Sequence, residues 1–356
     1  MRLKCALVAS LVGLLTPFLA LGQDKPADET IKVNTLLVSV PTIVSDRDGR
    51  YVPNLTQKDF TIFQDGQQQN IDFFAATEEP ISVALLIDTS QSTRGVLGDI
   101  KDSAKSFIKL LTPKDKAMIV SFDYATHVLC PLTSDTDQLR AAVKSAEIPE
   151  RGLVGTTLRD AVYDTINQTF AGLKGRKAII LLTDGKDFKS RIDTNTLLYS
   201  LQESDTLIYT VMFKTGDQNR NPALRQILFP PMGRGGIFGG GGRRFPGGGA
   251  NGGRFPNPRQ EQRRQQQQGR IEEQNEIAAE FLRQLSDTTA GRAFSSKDGK
   301  LKNTFASIVE ELRFQYRLGY YPPEDSPSAS LHQIKVKVNR ADAVVRSRAS
   351  YRAISK

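Results

Sequence analysis

The segment ISVALLIDTSQS, residues 81–92, decides the fold. Its first seven residues are almost wholly apolar, and the run stops abruptly at Asp88-Thr89-Ser90-Gln91-Ser92. A short apolar run closed by a polar loop predicts a strand buried on both faces, as in a parallel sheet covered by helices. Three oxygen-bearing side chains, Asp88, Ser90 and Ser92, then leave the loop on alternate residues. Open α/β sheets bind ligands at this place, beyond the carboxyl ends of the strands.

The pattern repeats outward from that segment. Strands are predicted at 117–123 (AMIVSFD), 125–132 (ATHVLCPL), 177–184 (KAIILLTD), 206–213 (TLIYTVMF) and 291–296 (GRAFSS). Stretches with apolar residues at helical spacing separate them, at 96–111, 137–146, 157–173, 195–205 and 271–291, with a last helix at 301–313. In the first, Leu97, Ile100, Ala104, Phe107, Ile108 and Leu111 form one apolar face. The expected fold class is α/β, a doubly wound, mostly parallel, Rossmann-like sheet over residues 80–314.

Two further loops complete a candidate site. Gly155-Thr156-Thr157 opens a helix, and Thr183-Asp184-Gly185 ends the run KAIILL. Asp88, Ser90, Ser92, Thr156 and Asp184 together offer two carboxylates and three hydroxyls. Such a set suits a hard divalent cation, Mg²⁺ above all, with Mn²⁺ and Ca²⁺ as alternatives. Zinc would want cysteine or histidine. So few carboxylates leave the ion net positive charge and an open position, which an acidic group of a protein partner can fill. A lone D-x-S-x-S triplet arises by chance in about one chain in ten of this length, and Ser or Asp after a strand often only caps a helix. The three loops, in order after the right strands, carry the metal reading.

DTSQS, GTTLRDAV and LLTDG, in that order and on that alternation, resemble the metal-ion-dependent adhesion site of von Willebrand factor type A (VWA) domains. The resemblance implies that Ser90, Ser92 and Thr156 contact the metal directly or through water, while Asp88 and Asp184 orient the shell and share its charge. Family members usually have a glycine pair before the threonine where this chain has Val154-Gly155, so Thr157 is an alternative to Thr156. The flanking stretches 42–74, TAGRAF (289–294) and YRLGYYP (316–322) are similar to those of VWA-related proteins typical of acidobacteria.

Outside 80–314 the pattern is β. Residues 31–78 hold strand-like KVNTLLVSVPTIVSD (32–46) and a hairpin around Asp65-Gly66; residues 315–356 hold FQYRLGYY, HQIKVKVNR and AVVRSRASYR. Both segments have strands in need of partners, so one β-sandwich shared between them is the expectation. Residues 233–270 are Gly/Arg/Gln-rich and poor in apolar residues, which predicts a disordered insertion. Their eight arginines face only Glu261, a net of +7 out of +9 for the whole chain. Arginines interleaved with Phe238, Phe245 and Phe255 also suit nucleic acid or another polyanion; a solvated linker is the plainer reading, and no nucleic acid is expected.

Residues 1–22 read as a cleavable signal peptide: Arg2 and Lys4, an apolar run, then Ala20 and Gly22. An uncleaved anchor is the rival, although Pro17 shortens the run. Cleavage leaves a chain that is not an integral membrane protein, placed in the periplasm, at the cell envelope or outside the cell. It also removes Cys5, leaving Cys130 without a disulfide partner and best read as a buried small apolar residue.

Catalysis is not expected. A haloacid-dehalogenase-type phosphatase needs an aspartate where Ser90 stands, no G-x-S-x-G is present, and the two histidines, His127 and His332, read as strand residues. The function expected is metal-dependent protein binding or adhesion, with a metal-independent envelope scaffold as the alternative.

Overall fold

A computed structural model describes residues 37–76, 79–150, 155–215, 258–296, 301–323 and 330–352. The expected leader at 1–22, Val154 and the expected insertion up to residue 257 lie outside the described residues.

The apolar runs form one six-stranded sheet: β5 (Ile81–Asp88), β6 (Lys116–Phe122), β7 (Thr126–Thr133), β8 (Arg176–Thr183), β9 (Leu207–Met212) and β10 (Arg292–Ser295). Their order is β10-β9-β8-β5-β6-β7, parallel throughout except for antiparallel β7. Alternate residues of β5 face opposite layers, which is why the run must be apolar throughout. Val83, Leu85 and Ile87 pack with Ile100, Ala104 and Phe107 of α1 (Leu97–Ile108), with α2 (Thr136–Ser145) and with Phe305 and Ile308. Ala84 and Leu86 pack with Leu158 and Ala161 of α3 (Leu158–Asp164), Leu197 of α4 (Thr194–Glu203) and Leu282 of α5 (Pro258–Thr288). Cys130 is free and buried in the first of these layers. Gly291 admits no side chain, since a Cβ there would lie 1.9 Å from the Ile208 carbonyl oxygen.

Helix α5 corrects one expectation. It begins at Pro258, so residues 258–270 are helical rather than part of a disordered insertion. Gln, Arg and Glu are good helix formers, and proline suits a helix's first turn. Low apolar content denied this stretch a core-facing stripe, so residues 265–270 are exposed; propensity, not burial, is the signal that was available. The helix expected at 157–173 also ends early, passing after α3 into one wide turn at Thr165–Thr169.

The terminal segments do build a two-layer β-sandwich. One sheet has the order β13-β1-β11-β4, from β1 (Val38–Ser45), β4 (Phe73–Ala75), β11 (Tyr316–Tyr320) and β13 (Val344–Ser347). The other, β14-β12-β2-β3, combines β2 (Phe60–Gln64), β3 (Gln67–Gln69), β12 (Leu331–Val338) and β14 (Ser350–Arg352). Each sheet mixes strands from both ends of the chain, and Val40, Phe60, Ile62, Tyr316, Leu318, Ile334 and Val336 share one core. The helix α6 (Leu301–Arg313) leads back from the α/β layer into β11. Buried Arg176 secures that return, donating to the carbonyls of Leu312 (2.9 Å), Arg313 and Gln315 (3.1 Å).

Candidate metal centre

Strand β5 continues to β6 on one side, whereas β8 lies on its other side. The crevice between the carboxyl ends of β5 and β8 is therefore a topological switch point, and Asp88 and Asp184 both lie there, fully buried.

The loop after β5 is organised by its own side chains. Asp88 Oδ1 accepts from the Ser90 N–H at 2.9 Å, and Oδ2 accepts from the Thr183 hydroxyl at 2.5 Å. The Ser90 and Ser92 hydroxyl oxygens are 3.0 Å apart. Beneath them the Thr93 hydroxyl lies 3.0 Å from the Asp88 carbonyl and 2.9 Å from that of Ser90, holding the turn.

Around β8, Gly185 has φ +78°, and a Cβ there would come within 3.0 Å of Ala278 and Leu282 on α5. Glycine thus serves two demands, the left-handed turn and the close helix. Asp184 Oδ1 accepts from the Lys186 N–H at 3.2 Å. Its Oδ2 accepts from the Thr215 hydroxyl at 2.7 Å and lies 3.2 Å from the Lys186 ammonium. That ammonium also donates to Thr215 at 2.7 Å.

The third loop distinguishes its two threonines. The Thr157 N–H and hydroxyl both donate to the Asp123 carbonyl, at 2.8 and 3.1 Å. The Thr156 hydroxyl is engaged by none of the described residues, although Thr156 is only 2% exposed. Its carbonyl accepts from the N–H groups of Phe188 and Lys189, both at 3.1 Å, which ties this loop to the one after β8. Of the two, Thr156 is the one whose hydroxyl no described residue holds.

Hydrogen bonds thus join Asp88, Ser90 and Ser92 directly; Asp184 is coupled to Asp88 through Thr183 and through charge; Thr156 joins through backbone contacts. Sequence reasoning missed Lys186, Thr215 and Asp123. Lys186 stood visible directly after the Asp-Gly pair, and Thr215 follows β9, at another carboxyl end.

Electrostatically the two aspartates differ. Burial, then the neighbouring Asp184 charge, push the Asp88 carboxyl up to about 7, against hydrogen bonds from Ser90 and Thr183 that pull it down. Asp184 has an ammonium beside it; Asp88 has only neutral donors. A buried carboxylate facing another, with hydroxyl oxygens around it, fits a hard divalent cation. No cluster of three or more His, Cys, Asp or Glu occurs among the described residues, so hydroxyls and water would supply the remaining oxygens.

Residues 82–235 match the von Willebrand factor type A domain. No curated protein matches the chain. Among solved structures, an aerotolerance-related membrane protein from Bacteroides fragilis is similar at 15% identity and TM-score 0.42, over 66% of this chain and 98% of that one. The vWF domain of the type V pili tip protein Mfa5 from Porphyromonas gingivalis gives 24% and 0.29, over 34% of this chain and 44% of that one. Proximal thread matrix protein 1 from the mussel byssus, with a zinc-occupied MIDAS motif, gives 17% and 0.35, over 40% and 38%.

Proposed function

We propose, from the premise that this chain carries a VWA domain at residues 82–235, that it is an exported binding protein whose metal site captures an acidic residue of a protein partner. The observation that carries this reading is the buried Asp88 carboxylate, set against Asp184 with no cation of its own.

A bound divalent cation, Mg²⁺ in this proposal, would supply a Lewis-acidic centre with a position open to a partner carboxylate. The chain's own residues do the rest. Asp88 and Asp184 provide negative charge; Ser90, Ser92 and Thr156 provide hydroxyl oxygens; Thr93 and Thr183 hold the two loops in place. Export rests on residues 1–22, and no helix among the described residues is long and apolar enough to cross a membrane.

The reading is binding rather than catalysis. His127 Nε2 lies 3.3 Å from Asp123, and Asp123 accepts from the Thr89 hydroxyl at 3.1 Å. A nucleophile needs its hydroxyl on the base, whereas here the carboxylate stands between them.

One observation favours a metal-independent scaffold instead: Lys186 already supplies Asp184 with a positive charge. Calorimetric titration of Mg²⁺, Mn²⁺, Ca²⁺ and Zn²⁺ into the protein and into Asp88→Ala separates the readings. Saturable binding by the native protein, absent from the variant, is the expected result. Binding by neither would give the scaffold its place.

A further inference from the structure

Lys186 is a charged side chain that the site's oxygen chemistry does not require, and it touches Asp184. Its side chain is only 13% exposed, and the ammonium lies 3.2 Å from Asp184 Oδ2 and 2.7 Å from the Thr215 hydroxyl. Thr215 is held in turn through its carbonyl, which accepts from the Asn275 side chain of α5 at 3.4 Å. The ammonium is therefore built into the site from β9 and α5, not draped over it. A partly buried cation beside a carboxylate destined for a metal opposes metal binding through simple repulsion.

We propose that Lys186 sets the charge of the loaded site, weakening its hold on the cation in order to strengthen its hold on the partner's carboxylate. This deepens the metal-dependent reading above and rests on it. Two carboxylates and a divalent ion cancel, so the net positive charge expected of the loaded site from the sequence has to come from Lys186, which leaves the centre at +1 and attracts an anion. Of the other nearby charges, Lys189 is exposed with its side chain against Gly155 and is common to every variant compared; Asp187 and Asp123 have partners of their own. Asp187 is paired with Arg159 at 3.3 Å and accepts from Ser190. Asp123 accepts from Thr89 and Ala125 and lies beside His127. Neither changes when Lys186 does, so a comparison of variants at this position isolates its charge.

The consequence is a pair of effects of opposite sign. Lys186→Met keeps the stem and removes the charge. Mn²⁺ affinity of the full chain, read by electron paramagnetic resonance, should rise about tenfold. Affinity of the Mn²⁺-loaded protein for N-acetyl-glutamate amide, read by water-proton relaxation, should fall by about the same factor. Lys186→Arg should leave both near native values. If Lys186→Met does not fold, as judged by its thermal transition, Lys186→Gln replaces it. Both affinities falling together, or neither moving, would overturn the proposal and leave Lys186 a purely structural residue. A native protein that binds Mn²⁺ but not the carboxylate would also overturn it while keeping the metal site. A native protein that binds no Mn²⁺ would remove the metal reading itself, and this inference with it.

Discussion

The β-sandwich and the strand ends of the α/β layer both bury polar groups, and they treat them in opposite ways. In the sandwich every buried group named here closes on a protein partner. The Tyr316 hydroxyl donates to the Val52 carbonyl at 2.7 Å and accepts from the Leu55 N–H at 3.2 Å. The hydroxyls of Tyr320 and Tyr351 share Gln64 Oε1, at 2.9 and 3.0 Å. At the ends of β5 and β8 the polar groups are as well buried, but Asp88 faces Asp184 with no cation of its own. A satisfied buried network specifies a core, whereas an unbalanced buried charge calls for a ligand.

The comparison can be tested from the largest effect downward. Leu85 lies fully buried in the middle of the sheet; Leu85→Ala should cost about 3–5 kcal/mol in urea unfolding, which sets the scale for a purely apolar site. Gln64→Leu should cost about 2 kcal/mol, because two tyrosine hydroxyls lose their acceptor. It should leave cation binding untouched, and a change in cation affinity would break the division between the two regions.

Asp88→Asn should do the reverse. Burial and the Asp184 charge push the folded Asp88 carboxyl up to about 7, above the value of about 3.9 for an unfolded aspartate. Between those values the folded protein keeps a proton that the unfolded chain has released. Stability in the presence of a chelator should therefore fall as pH rises from about 4 to about 7, and Asp88→Asn should flatten that fall. Parallel pH profiles for the two proteins would contradict the assignment.

The smallest effect belongs to Asp65. Hydrogen bonds from His332 and the Gln333 N–H hold its carboxyl below the usual range. The contribution is present above the unfolded pKa and lost as pH falls through the folded one. Asp65→Asn should thus lower the urea midpoint slightly at neutral pH and not in acid.

Much of this was legible in the sequence, for local reasons. ISVALLID and KAIILLTD announce buried strands because parallel strands are apolar on both faces, and the loop that follows each places Asp88 and Asp184 without any need for tertiary detail. What was not legible depends on distant pairing. Thr215 reaches Asp184 from 31 residues away, which only the adjacency of β8 and β9 reveals. The register of β1 against β11, with Val40 opposite Leu318, brings together residues from the two ends of the chain, and alternation alone names no partner. The helical state of 258–270 was hidden by the absence of an apolar stripe, although its residue types favoured a helix.

The most direct test of the central claim, that Asp88 is held ready for a divalent cation, is heat unfolding of the native protein and Asp88→Asn at mildly alkaline pH, each with chelator and with excess Mg²⁺. Mg²⁺ should stabilise the native protein, by about 2.7 kcal/mol at a hundred times its dissociation constant, and leave Asp88→Asn where it was. Equal stabilisation of both proteins, or of neither, would contradict it.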